Sequence, residues 1–154
     1  MKEEIFPEII ATDLIESYVS REEKYLYQYP IVMQYLKKKI ANRCVADYLN
    51  SIGGRRIVLY AVTNFTELLI RDIRNTSTDM IWAVCDKNEK DFGKNYLKCR
   101  MVTIDEMLID YKQNKFDKIV VCSVFHANAI IDDLMRKGVK LDDIMTIIQV
   151  VFWM

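Results

Sequence analysis

The chain has 154 residues, of which 51% are hydrophobic and 29% charged, with 22 basic residues balancing 22 acidic ones. That length suits one domain burying roughly two thirds of its unfolded surface. A zero net charge leaves no global field to draw in nucleic acid or an anionic membrane, so neither is expected as a partner.

Four cysteines, at 44, 85, 99 and 122, show no Cys-x-x-Cys spacing. They read as reduced thiols inside apolar runs, which argues against a zinc site or a disulfide framework. The first residues, Met-Lys-Glu-Glu-Ile-Phe-Pro-Glu, lack the charged-then-apolar order of a signal peptide, and no apolar run reaches the roughly 18 residues of a membrane span. A cytoplasmic location is expected.

In chain order, Glu8 to Gln28 has helical periodicity in Ile9, Ile10, Leu14, Ile15, Tyr18 and Val19. Pro30 is expected to end or kink this helix. A second helix is predicted from about Ile31 to Ser51, stopped by Gly53 and Gly54. Residues 1–54 thus form an N-terminal helical segment, and residues 55–154 an α/β domain. Tyrosines at 18, 25, 27, 29 and 35 crowd the helical segment, as on a face packed on its own domain or at a subunit interface.

Arg56 to Asp86 is the centre of the pattern. Ile57 to Tyr60 reads as a strand buried on both faces, Phe65, Leu68, Leu69 and Ile73 recur at helical spacing, and Met80 to Val84 is a second apolar run. A right-handed crossover makes the two strands parallel neighbours. Lys87 to Lys98 is expected to be a surface loop, and Cys99 to Val102 a third strand. Thr103-Ile-Asp-Glu106 has capping-box spacing ahead of a helix closed by Asn114. Phe116 to Cys122 reads as a fourth strand, Ala127 to Leu134 as a helix ending at Gly138, and Ile144 to Val151 as a fifth strand. The alternation predicts a five-stranded parallel sheet in the order 3-2-1-4-5. The last residues, Val150 to Met154, are apolar and are expected to pack on the domain or be covered by a partner.

The turn after the first strand holds the chemistry. A dinucleotide site carries Gly-x-Gly-x-x-Gly there, and Ala61-Val62-Thr63-Asn64-Phe65-Thr66 occupies that register with all three glycines replaced. Ala61 is a mild change, whereas Thr63 and Thr66 project β-branched side chains where a pyrophosphate passes or the helix meets the strand. Thr63 or Asn64 can cap the helix amides in place of a phosphate. Asp86 stands where a ribose-binding carboxylate belongs, and is equally a turn former. Ser123 and His126 follow the fourth strand, at the edge where such folds bind ligands. His126 is the sole histidine and no Gly-x-Ser-x-Gly surrounds Ser123, so neither hydrolase nor metal chemistry is indicated. The basic clusters Lys37-Lys38-Lys39 and Arg55-Arg56 read as solvated.

With glycines restored, Ile57 to Ile73 resembles the "IaIYGaGelGklLyeeL" segment of Rossmann-like NAD(P)-binding domains found beside glycosyltransferases and sugar-modifying enzymes of bacterial surface-polysaccharide pathways. Ala46-Asp47-Tyr48-Leu49 resembles that family's "siadyL" lead-in. Val84 to Asn88, Val102 to Glu106 and Lys118 to Phe125 follow in its order, so about two thirds of the chain is covered. The resemblance implies a Rossmann-like three-layer sandwich that binds NAD(P) or a nucleotide-sugar through Ala61, Thr63, Asn64, Phe65, Thr66, Asp86, Ser123 and His126. It implies an accessory role in sugar modification. Separately, the tyrosine-rich helices and the apolar C-terminus lead to the expectation of a homodimer that covers one of them. The alternative from another class is an interaction module that keeps the fold without the ligand. With the glycines replaced and no Tyr-x-x-x-Lys proton relay, catalysis of NAD-dependent oxidoreduction by the chain alone is not expected.

Overall fold

A computed structural model describes residues 21–77 and 79–154. The predicted periodicity before residue 21 lies outside the described residues. The first described helix, α1 (Arg21–Ile40), runs through Pro30 without ending. This corrects the expected break. Proline removes one amide bond, to the Leu26 carbonyl on an exposed turn, while Ile31 and Tyr35 on the following turns are buried in the core and hold the helix in place. The helix stops instead at Asn42, which takes the left-handed conformation (φ 58°), with the Arg43 amide returning to the Lys38 carbonyl at 2.9 Å. The expected helix over 31–51 is therefore two, the second being α2 (Val45–Ser51). Gly53 (φ 86°) stops α2, and the Gly54 amide bonds the Leu49 carbonyl at 2.8 Å. A Cβ on Gly54 would lie only 3.1 Å from that carbonyl oxygen.

The remaining elements are β1 (Ile57–Tyr60), α3 (Asn64–Thr76), β2 (Ile81–Cys85), β3 (Asn95–Tyr96), β4 (Cys99–Val102), α4 (Ile104–Lys112), β5 (Lys118–Val121), α5 (Ala127–Arg136), β6 (Ile144–Thr146) and α6 (Ile147–Trp153). They form one six-stranded, mostly parallel sheet in the order β3-β4-β2-β1-β5-β6. β1 pairs in parallel with both β2 and β5, Leu59 lying beside Val84 and Val120. Two expectations are corrected. The sheet has six strands rather than five, because Asn95–Tyr96, inside the stretch read as loop, pairs antiparallel with β4. The final strand ends at Thr146, and Ile147 to Trp153 is helical. Thr146 and Gln149 form a reciprocal cap there, the Gln149 amide donating to Thr146 Oγ1 at 3.2 Å and the Thr146 amide to Gln149 Oε1 at 2.9 Å. A short apolar run does not distinguish a buried strand from a buried helix, and the cap decides it.

Alternation along β1 divides the interior. Ile57 and Leu59 point into a core shared with α1, α2, α3 and α6, whereas Val58 and Tyr60 point into a second core shared with α4 and α5. Helices therefore cover both faces of the sheet, giving a three-layer α/β protein. Thr103 and Glu106 cap α4 reciprocally, with the Glu106 amide donating to Thr103 Oγ1 at 3.1 Å. At the end of the chain Met154 is buried, while Phe152 and Trp153 are exposed.

The joint between α1 and α3 is polar. Asp72, buried on α3, accepts from the Tyr35 hydroxyl and pairs with Lys39 Nζ at 3.0 Å, both contacts falling on Oδ2. Its Oδ1 is buried without a hydrogen-bond partner. Removing the carboxylate strands two donors, so Asp72→Ala is expected to cost about 2–3 kcal/mol. Tyr35→Phe removes one hydroxyl and should cost about 1 kcal/mol. Urea denaturation of the two variants checks the order, and equal costs would show that the joint is held by packing alone.

Candidate functional site

The site is built where the helices diverge. The connection leaving β1 crosses the first face of the sheet through α3, and the connection leaving β5 crosses the opposite face through α5. Because β1 and β5 are neighbours, their carboxyl ends open a crevice that none of the described helices fills. It has a volume of about 490 Å³. Ala61, Val62, Thr63 and Phe65 line it from the first turn, Asp86 from the end of β2, and Ser123 and His126 from the end of β5. The predicted segments thus converge on one cavity. Asn64 and Thr66 do not line it, and Thr66 is completely buried beneath the turn.

The turn after β1 bends at a residue in a conformation that glycine favours. Ala61 sits at φ 73°, in the left-handed region that costs an L-residue roughly 1–2 kcal/mol. The exchange of glycine for alanine is therefore not mild for the backbone, although the methyl group is small. Three anchors hold it. The Ala61 amide donates to the Cys85 carbonyl at 2.8 Å, the Val62 amide to Asp86 Oδ2 at 2.7 Å, and the Ala61 carbonyl accepts from Thr66 Oγ1 at 2.6 Å.

The two threonines close the helix N-terminus. The Phe65 amide donates to Thr63 Oγ1 at 3.2 Å and the Thr63 amide to Thr66 Oγ1 at 2.9 Å, while the Thr63 hydroxyl donates to the Cys122 carbonyl at 3.0 Å. The Thr66 amide bonds the Thr63 carbonyl at 3.1 Å. The amides of residues 61, 62, 63, 65 and 66 are thus all bonded within the chain. In a glycine-rich cradle such amides are what a pyrophosphate takes. Thr66 also replaces the close helix-strand approach of a glycine with a hydrogen bond across it.

Asp86 acts first as a clamp. Its Oδ2 holds the Val62 amide and its Oδ1 the Asn88 amide at 2.8 Å, joining the loops after β1 and β2. Each oxygen accepts from one of these amides and, as a carboxylate oxygen, has capacity for a second hydrogen bond. Ser123 is buried, and its hydroxyl accepts from the His126 amide at 3.1 Å, ordering the entry to α5. His126 precedes α5 without capping it through its side chain.

Other lining residues escape sequence reasoning. Lys24 and Gln28 reach the crevice from α1, Lys87 from the loop after β2, and Asp133 from α5. The signal for the first two exists, since 24, 28, 31 and 35 share one helical face. It is readable only if the helix is carried through Pro30. Among the described residues no three His, Cys, Asp or Glu side chains gather as a metal ion requires, and no helix is long and apolar enough to cross a membrane.

The floor of the crevice is dry. Burial pushes the Cys122 thiol up from 9.0 to about 12, and burial with the Asp86 charge does the same to Cys85. The Tyr60 phenol is raised well above 10.0, first by burial and then by Cys85, Asp133 and Asp86. These thiols are neutral at physiological pH and poor nucleophiles.

With this geometry the chain is an α/β protein with a crevice at the switch point of a mostly parallel sheet. No family model, no curated protein and no solved structure matches the chain.

Two outcomes follow. Ala61→Gly relieves the left-handed strain, partly offset by a more flexible unfolded chain, and should stabilise the protein by about 0.5–1 kcal/mol in urea denaturation. An unchanged midpoint would mean that the turn relaxes around alanine. For pH, groups with raised folded values hold their protons while the unfolded chain loses them, so the stability they contribute is complete below about pH 9 and is lost as pH rises. The urea midpoint should fall between pH 8.5 and 11, and Cys122→Ala should flatten the first part of that fall. A midpoint constant across this range would contradict the dry floor.

Proposed function

We propose that the chain is a Rossmann-like nucleotide- or nucleotide-sugar-binding module, accessory to bacterial surface-polysaccharide or sugar modification. The observation that carries this reading is the 490 Å³ crevice at the switch point, onto which Ala61 to Phe65, Asp86, Ser123 and His126 converge. A cavity of this size suits a nucleoside with one further group. Because the turn amides are engaged internally, the phosphates would be met by side chains, with Lys24 and Lys87 as the cationic lining and His126 beside them. The free lone pairs of Asp86 would accept from ribose or sugar hydroxyls. Phe65, Phe125 and Ile130 give the base an apolar wall.

The second reading, a module that keeps the fold and has lost the ligand, is favoured by the same engaged amides. A thermal-shift screen separates the two. NAD(H), NADP(H), S-adenosylmethionine, UDP-sugars and CMP-sugars are each tested at high concentration. A ligand at a hundred times its dissociation constant adds about 2.7 kcal/mol. Stabilisation by a sugar nucleotide, lost in Asp86→Asn and Lys87→Ala, is the expected result, and silence across the panel would favour the second reading. NADH titrated by fluorescence should not bind at micromolar concentration. Thr63→Gly with Thr66→Gly frees the amides while costing about 1–2 kcal/mol of cap stability. Binding of NADH by that variant alone would show that the threonines close the cradle.

A further inference from the structure

Helix α1 spends only one face on its own domain. Ile31 and Tyr35 enter the core, and Lys24 and Gln28 on the same face reach the crevice. On the opposite face Leu26, Tyr29, Met33, Leu36 and Ile40 follow one another at steps of three, four, three and four. Leu26 is 71% exposed, Tyr29 62%, Leu36 47% and Ile40 82%, with Met33 half-buried between them. Alternating steps of three and four form the seam of a two-helix coiled coil, spaced to receive another helix. Exposed apolar residues scattered singly need no explanation, but a continuous stripe of five does.

We propose that two copies of the chain pair through this seam, with their α1 helices antiparallel. Charge selects both the occupant and the direction. With Leu26, Met33 and Ile40 at the a positions and Tyr29 and Leu36 at d, the e positions hold Glu23, Pro30 and Lys37, and the g positions hold Tyr25, Val32 and Lys39. In an antiparallel pair a layers against d and e faces e, so Leu26 meets Leu36 of the second copy and Tyr29 meets Met33. That register brings Glu23 across from Lys37, and the two-fold axis makes the ion pair twice. A parallel pair sets e against g, placing Lys37 beside Val32 and Pro30 beside Tyr25, with no ion pair at all. The other lysines of the run face inward: Lys39 binds Asp72, and Lys38 Nζ donates to the Phe152 carbonyl at 2.9 Å. The seam is therefore self-complementary, as an isologous contact requires. Pairing would cover the outer face of α1 and leave its inner face on the crevice.

Sedimentation equilibrium of the full chain should show a dimer. Leu36→Glu, and separately Tyr29→Glu, should yield monomers with an unchanged far-UV circular dichroism spectrum. Lys37→Glu should weaken the dimer by roughly tenfold, because each of two attractions becomes a repulsion, and adding Glu23→Lys should restore it. Direction is read by disulfide cross-linking in a Cys44→Ser background. Leu26→Cys mixed with Leu36→Cys should cross-link the two variants, and Leu26→Cys alone should not. A monomeric unmodified protein, a dimer indifferent to both glutamate substitutions, or a Leu26→Cys chain cross-linking to itself would each overturn the proposal.

Discussion

The site rests on one constrained residue, the left-handed Ala61 at the end of β1. Its unfavourable backbone persists because its neighbours over-determine it. The ladder to β2 is extended through the Ala61 amide, the Thr66 hydroxyl holds the Ala61 carbonyl, and the Asp86 carboxylate holds the next amide. From that bend follow the direction of α3, the closing of its N-terminus by Thr63 and the wall that the turn gives the crevice. A strained residue at the mouth of a cavity is common where a backbone shape is kept for a purpose.

The same hydrogen bonds decide which groups line the crevice with open donors. A glycine-rich turn offers bare amides, which bind phosphate by backbone alone. Here the threonine hydroxyls and Asp86 take those amides, so a ligand in the crevice would be met by side chains on four separate segments: α1, the loop after β2, the loop after β5, and α5. The part of that lining that α1 supplies depends on the helix staying in place. Asp72, with Tyr35 and Lys39, fixes that helix from below, while Ile31 and Tyr35 bury it. The helical segment thus shares the core of the sheet and part of the lining of the crevice.

Much of the architecture was legible in the residues themselves. Runs such as Ile57 to Tyr60 and Ile119 to Val121 are apolar at every position because both sheet faces are covered, and that continuity identifies a buried parallel strand. Thr103 and Glu106 announced the start of α4 through spacing alone, since a capping box is a local event. The turn register from Ala61 to Thr66 and the position of Asp86 placed the crevice at the right end of the sheet, because right-handed crossovers leave little choice of topology. Thr146 and Gln149 carried an equally local signal, hidden by the apolar run behind it.

What only the tertiary structure decided is where long-range packing overrules local preference. Pro30 disfavours a helix by its own chemistry, yet the burial of Ile31 and Tyr35 carries α1 through it, bringing Lys24 and Gln28 to the site. Asn95 and Tyr96 form a strand only because β4 offers an edge. Whether Thr63 and Thr66 obstruct a phosphate or seal the helix depends on partners such as the Cys122 carbonyl, 59 positions away in the chain. Local sequence determines capping, strand continuity and crossover hand. It does not determine which hydrogen-bond donors remain open once distant segments have met, because that is settled by contacts that exist only in the folded chain.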